Sequence, residues 1–223
     1  MPKLALIIGN KNYSSWSMRP WVTLRQAEIP FREVQLWFDD AGHAEGVERY
    51  SSTGQVPVLL VDEAPICDSL AICETAAELF PDRHLWPVDA MARAHARAIC
   101  AEMHAGFRSL RSAMPMNIRS SFRGKGMSPA VERDIERVCS LWGDCRNKFG
   151  AEGPLLFGRF SIADAYYAPV VMRFVTYVPP LPRAARDYVD AVCDLSATQE
   201  WIAAARRETA FVAADEPYAI KGS

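Results

Sequence analysis

The feature that most limits how this chain can fold is a loss of strand pattern near residue 81. Ahead of it, strand and helix signals alternate. Leu4-Ala5-Leu6-Ile7-Ile8-Gly9 is an apolar run of strand length, and Val22 to Ala27 reads as a helix. Ile29-Pro30 ends that helix, because the residue before proline is pushed out of the helical region. Phe31 to Trp37 alternates as a second strand, and Gly54 to Asp62 is a third with proline near its start. Between them, Asp39 to Thr53 reads as a loop or short helix weakened by Gly42 and Gly46. Glu63-Ala64 is a tight turn into a short fourth strand at Pro65-Ile66-Cys67. Asp68-Ser69 then caps a helix to Phe80 whose apolar residues cover one face. This is a compact α/β unit of about 80 residues.

Beyond the Pro81 to Pro87 linker only helices are expected. Ala90 to Ala113 reads as one long helix through Ala94, Ala98, Ile99, Met103, Phe107 and Leu110. Arg119, Arg123 and Lys125 form a basic, solvated loop. Ser128-Pro129 starts a helix toward Phe149 with proline at its first position. Ser161-Ile162-Ala163-Asp164 is a variant capping box that opens a mostly apolar, hence buried, helix to about Val175. Asp187 to Leu195 and Thr198 to Glu208 are the last helices. The division expected is an α/β domain over 1–83, a linker over 84–90 and an all-helical domain over 91–223.

A chain of 223 residues that is half apolar can bury a sizeable core. A net charge of −2 gives no reason to expect nucleic acid or an anionic membrane as partner. No apolar run approaches the roughly 18 residues that span a bilayer, and the start of the chain lacks the signature of a signal peptide. The six cysteines include no Cys-x-x-Cys pair and no histidine at metal-ligand spacing, so no metal site is expected. They fit a reducing, cytoplasmic setting. No P-loop, dinucleotide fingerprint or nucleophile elbow is present. His43, His84, His95 and His104 are scattered and read as surface or core residues.

Three places remain. Tyr13-Ser14-Ser15-Trp16-Ser17-Met18-Arg19-Pro20 leads from the first strand into the first helix. Pro20 fixes the start of that helix at Ser14 to Ser17, because proline belongs in a helix's first turn. Hydroxyls gathered at that positive end suit a capping serine or an anion. Val56-Pro57 enters an inner strand, where proline cannot donate to the ladder. A cis bond there would leave the Val56 backbone free to pair with an extended peptide. Asp68-Ser69 caps its helix, and could also receive an α-amino-acid head, carboxylate on the helix end and ammonium on Asp68.

The order of these motifs, with Gly54-Gln55-Val56-Pro57-Val58-Leu59, Asp68-Ser69-Leu70-Ala71-Ile72 and the capping box, resembles the cytosolic glutathione transferases over essentially the whole chain. The resemblance implies a thioredoxin-like N-terminal domain, an all-α C-terminal domain, glutathione as co-substrate and a homodimer. Val56 would then pair with the cysteinyl backbone of glutathione, and Asp68 and Ser69 would hold its γ-glutamyl end. Asp164 would belong to the folding core. Ser14-Ser15-Trp16-Ser17-Met18-Arg19 is most similar to the zeta-class signature Ser-Ser-Cys-Ser-x-Arg. That implies Ser14 as the thiol-activating residue, with Ser15, Trp16 and Arg19 beside glutathione; Ser17, which lies closest to Pro20, is the expected helix cap. Trp16 replaces the zeta cysteine, which points toward a related bacterial-type transferase rather than a maleylacetoacetate isomerase. The resemblance places a small electrophile near Met103, Phe107, Arg108, Arg111 and Ser112. Cis-trans isomerisation of a dicarboxylate, with Arg108 or Arg111 on its carboxylates, and a non-catalytic scaffold are the other readings.

Overall fold

The computed structural model describes residues 2–219. Its first part holds a four-stranded sheet in the order β2-β1-β3-β4, made of β1 (Leu4–Ile8), β2 (Arg32–Gln35), β3 (Val58–Val61) and β4 (Ala64–Cys67). β1 pairs in parallel with β2 and antiparallel with β3, and β3 pairs antiparallel with β4. β1 is buried along its whole length, as its unbroken apolar run requires for a central strand. The hairpin between β3 and β4 turns on Asp62 and Glu63, both at positive φ, and Val61 faces Ala64. A two-residue turn with two positive φ values suits the twist of such a hairpin. The turn therefore falls one residue earlier than Glu63-Ala64.

α1 (Ser15–Gln26) and α2 (Ser69–Leu79) belong to this part, and six helices follow: α3 (Ala90–Ala105), α4 (Arg108–Ala113), α5 (Pro129–Phe149), α6 (Ile162–Tyr177), α7 (Arg183–Cys193) and α8 (Ser196–Arg207). α6 is the axis of the helical part and is almost wholly buried. Its capping box forms: Asp164 accepts from the Ser161 N–H at 2.9 Å and from Tyr188 Oη at 3.1 Å. Burial pushes the Asp164 carboxyl up to about 6. Trp142 of α5 is ringed edge-on by Tyr167, Phe174 and Tyr188. α7 starts four residues before the expected Asp187, straight after Pro182.

The expected single helix over 90–113 is two. Gly106 adopts extended backbone and Phe107 the left-handed conformation, at φ 55. A Cβ on Gly106 would lie 2.7 Å from the Glu102 carbonyl oxygen, so only glycine allows the break at that closeness. The restart is anchored by the Leu110 N–H donating to Asp134 at 2.9 Å. Met103 ahead of the break and Phe107 and Leu110 after it are all buried in the core.

Candidate functional site

α1 and α2 both begin at the edge of one large cavity of about 680 Å³. Tyr13, Ser14, Ser15 and Trp16 form one wall, Gln55, Val56 and Pro57 a second, and Asp68 and Ser69 a third. A smaller cavity of about 570 Å³ shares Ser15, Trp16, His104, Arg111 and Arg173 with it and adds Arg108 and Ser112.

Ser14, not Ser17, is the cap of α1. Its Oγ accepts from the Ser17 N–H at 3.4 Å and lies 2.7 Å from Ser17 Oγ, toward which it donates. Ser17 is fully buried, and its Oγ accepts from the Gly9 N–H at 3.1 Å, which ties the helix start to the end of β1. Pro20 is the sixth residue of α1, beyond its first turn. Its missing N–H leaves the Trp16 carbonyl without the usual helical partner. Ser15 is half-buried, and its Oγ accepts from Arg173 Nη2 at 3.4 Å. Arg173 of α6 is buried and also donates to the Met114 and Pro169 carbonyls. Burial pulls its guanidinium down to about 9, so it remains cationic at neutral pH.

Trp16 has guanidinium groups against its ring, Arg19 at 3.9 Å and Arg111 at 4.6 Å. Arg19 itself is 1% exposed and donates through Nε to the Tyr166 carbonyl at 3.2 Å. It supports Trp16 from within the protein and does not line the cavity, contrary to its expected place beside glutathione.

The Val56-Pro57 bond is cis, and Val56 precedes the ladder of the inner strand β3. Asp68 caps α2, with Oδ1 accepting from the N–H groups of Leu70 and Ala71 at 2.7 and 3.3 Å. It holds φ 78, a conformation costly for any residue but glycine. Ser69, 2% exposed, places its Oγ 2.9 Å from Tyr166 Oη.

Of the residues expected around an electrophile, Arg108, Arg111 and Ser112 line the smaller cavity. Met103 and Phe107 do not; both are buried in the core. Two site residues escaped the sequence reading altogether. Arg173 sits mid-helix in an apolar run with nothing to mark it. His104 looks in the sequence like any of the scattered histidines, yet it lines both cavities, meets Trp16 edge-on and contacts Asp68 and Tyr166.

Arg119 is likewise not a solvated loop residue. It donates to the Glu208 and Ala210 carbonyls and to Tyr13 Oη, and so clamps the C-terminal segment against the residue before Ser14. Tyr13 Oη in turn donates to Glu216 at 2.7 Å. The clamp brings Asp215 to the cavity wall, where burial pushes its carboxyl up to about 6. Among the described residues there is no cluster able to hold a metal ion, and no helix is long and apolar enough to cross a membrane.

Comparison with known proteins agrees with this geometry. Residues 13–79 match the family model for the glutathione S-transferase N-terminal domain. A probable maleylacetoacetate isomerase from Caenorhabditis elegans is 33% identical over 176 residues, covering 77% of this chain and 80% of that protein. Solved structures share the fold. A glutathione transferase homologue from Burkholderia with bound glutathione has a TM-score of 0.71 at 23% identity, over 92% of this chain and 100% of its own. The Omega 3C glutathione transferase from Trametes versicolor has a TM-score of 0.68 at 16% identity, over 95% and 91%. With its thioredoxin-like sheet, helical second part and this relative at one-third identity, the chain belongs to the glutathione transferase family of enzymes.

Proposed function

We propose that the protein binds glutathione in the larger cavity, stabilises its thiolate with the Ser14 hydroxyl, and adds that thiolate to a small electrophile seated among Arg108, Arg111 and Arg173. The observation that carries this reading is the convergence on one cavity of two capped helix N-termini and the Val56 backbone beside its cis-proline. The α1 end supplies an anion-stabilising site, Val56 an edge for an extended peptide, and the α2 end a receptor for an α-amino-acid head.

A free cysteine thiol titrates near 8.5, and holding it as thiolate at neutral pH needs a shift of about two units, or ~2.7 kcal/mol. A hydrogen bond to a charged group contributes about 1.5–3 kcal/mol, and a helix N-terminus adds about 0.3–1. Ser14 satisfies the geometry. Its oxygen is fixed by the cap, while its hydrogen can rotate from Ser17 toward a sulfur in the cavity. The thiol proton leaves to solvent, and sulfur is the nucleophile. Trp16, backed by Arg19, forms the floor between the sulfur and the electrophile.

Glutathione-dependent isomerisation is the second reading, and one observation favours it: Arg108, Arg111 and Arg173 gather beside Ser15 in the smaller cavity. Guanidinium groups pair well with carboxylates, so a dicarboxylate fits there. The relative from Caenorhabditis elegans supports the same reading. Turnover of maleylacetoacetate with catalytic glutathione supports isomerisation, and its absence with retained conjugation excludes it.

Two further parts of the proposal are a homodimer and a cytoplasmic setting. Val88, just before α3, and Met91, in its first turn, are 76% and 64% exposed and support a partner surface there, and six unpaired cysteines support a reducing compartment. Calorimetric titration with glutathione tests the whole reading: saturable binding at millimolar concentration or below is expected, and no heat would leave a scaffold.

A further inference from the structure

A chain of hydrogen bonds crosses from the helical part to the cavity wall. His104 Nε2 lies 3.3 Å from Asp68 Oδ2, His104 Nδ1 lies 2.8 Å from Tyr166 Oη, and Tyr166 Oη lies 2.9 Å from Ser69 Oγ. Each of the last two contacts can run in either direction. We propose that His104 is a positioning residue whose protonation reverses this chain and so decides whether the Ser69 hydroxyl can donate to the carboxylate of an α-amino-acid ligand. The proposal rests on the glutathione reading of the cavity and extends it to the control of one subsite.

The two states follow from counting hydrogens. A neutral imidazole that keeps its proton on Nε2, facing Asp68, has a bare Nδ1, which must accept from Tyr166. Tyr166 has one hydrogen, so its oxygen then accepts from Ser69. The Ser69 hydrogen is committed inward, and the cavity meets only a lone pair, which repels a carboxylate. A protonated imidazole donates from Nδ1 to Tyr166. The phenol turns its hydrogen to Ser69 Oγ, and the Ser69 hydrogen is released toward the cavity. No heavy atom moves. Burial holds the Tyr166 phenol well above its ordinary pKa, so it passes the direction of the chain without ionising.

The surroundings hold the imidazole in place for this task. Trp16 from α1 packs against it edge-on, with ring centroids 5.3 Å apart. The charged groups facing it are Asp68 of α2, Arg19 of α1 behind Tyr166, Arg108 and Arg111 of α4, and Arg173 of α6 across the shared cavity. Asp215 also stands on the wall of the larger cavity that His104 lines.

Binding of an S-methylglutathione analogue without the α-amino group across about pH 5 to 8 tests this, because histidine changes charge in that range while this ligand, lacking both thiol and amine, does not, and with no ammonium to seat on Asp68 it reads the Ser69 subsite alone. The wild type is expected to bind about fivefold tighter at the acidic end, the value of part of one hydrogen bond to a charged group. Tyr166→Phe removes the relay and frees the Ser69 hydrogen at every pH, so its affinity should be level and near the acidic wild-type value. His104→Asn accepts from Tyr166 but never gains a proton, and should be level near the alkaline value. A wild-type affinity that does not change, or a slope that survives in Tyr166→Phe, where Asp215 is still present to titrate, overturns the proposal. Absence of S-methylglutathione binding at every pH overturns the glutathione reading itself.

Discussion

α1 begins at a neutral cap, Ser14, and α2 at an acidic one, Asp68, and both ends open on the same cavity. At the first, the positive end of the helix is left uncompensated, and a buried cation, Arg173, lies behind the next residue. At the second, a carboxylate already answers the helix end and takes two of its N–H groups. The same local device therefore creates opposite demands on a ligand. The neutral cap favours an anion such as a thiolate. The acidic cap, half exposed, keeps Oδ2 turned toward His104 and the cavity and favours an ammonium. One peptide with a thiol in its middle and an amino-acid head at one end answers both.

The largest effect that could break this comparison is expected at the neutral cap. Ser14→Ala should lower kcat/KM for conjugation about a hundredfold, the equivalent of ~2.7 kcal/mol, while KM for glutathione changes little. Steady-state kinetics with a generic electrophile check it, with Ser15→Ala as the comparison; a greater loss in Ser15→Ala would move the work to the hydroxyl beside Arg173. Next comes the acidic cap. Asp68→Asn keeps an oxygen for Leu70 and Ala71 but removes the charge, and should raise the dissociation constant of glutathione about tenfold with kcat nearly unchanged. A glutathione analogue without the amino group should bind wild type and variant alike.

The arginine side should give a selective loss of similar or smaller size. Arg111→Gln is expected to reduce kcat/KM for an electrophile bearing a carboxylate about tenfold and to leave a neutral one within about twofold. Parallel assays with the two electrophiles read the difference; equal losses would assign Arg111 to the support of Trp16 alone. The smallest effect lies at Asp215. Its folded carboxyl keeps its proton to about pH 6, whereas the unfolded one releases it near 3.8. Between those values the folded state binds more protons, so stability falls as pH rises from about 4 to about 6 and is level above. Asp215→Asn should show a shallower fall than the wild type when denaturant midpoints are compared across the same range, the remainder coming from the buried Asp164 carboxyl, which is likewise raised to about 6.

What the sequence made legible was periodic or tied to one residue type. Unbroken apolar runs marked β1 and the buried α6, the Ser161–Asp164 spacing marked a cap, and Pro57 marked the entry to β3. The choice of Ser17 over Ser14 as cap rested on nearness to Pro20. It failed because proline is tolerated here as the sixth helical residue, while Ser17 is drawn to the Gly9 N–H. The break at Gly106 is hidden because apolar spacing continues through it, and of the residues expected around an electrophile only Arg108, Arg111 and Ser112 reach the smaller cavity, Met103 and Phe107 being core residues. His104, Arg173 and Arg119 act through partners 36 or more residues away in the chain: Asp68 and Tyr166, Ser15 and Met114, Tyr13 and Glu208. No local pattern carries such a contact.

The central claim is that the Ser14 hydroxyl, at the neutral cap, holds glutathione as its thiolate. Titrating the ultraviolet absorbance of the thiolate in the glutathione complex measures it directly. The wild-type complex should ionise about two units below the free thiol's 8.5, and the Ser14→Ala complex close to it. An unshifted wild-type titration, or a shift that survives in Ser14→Ala, would contradict the account.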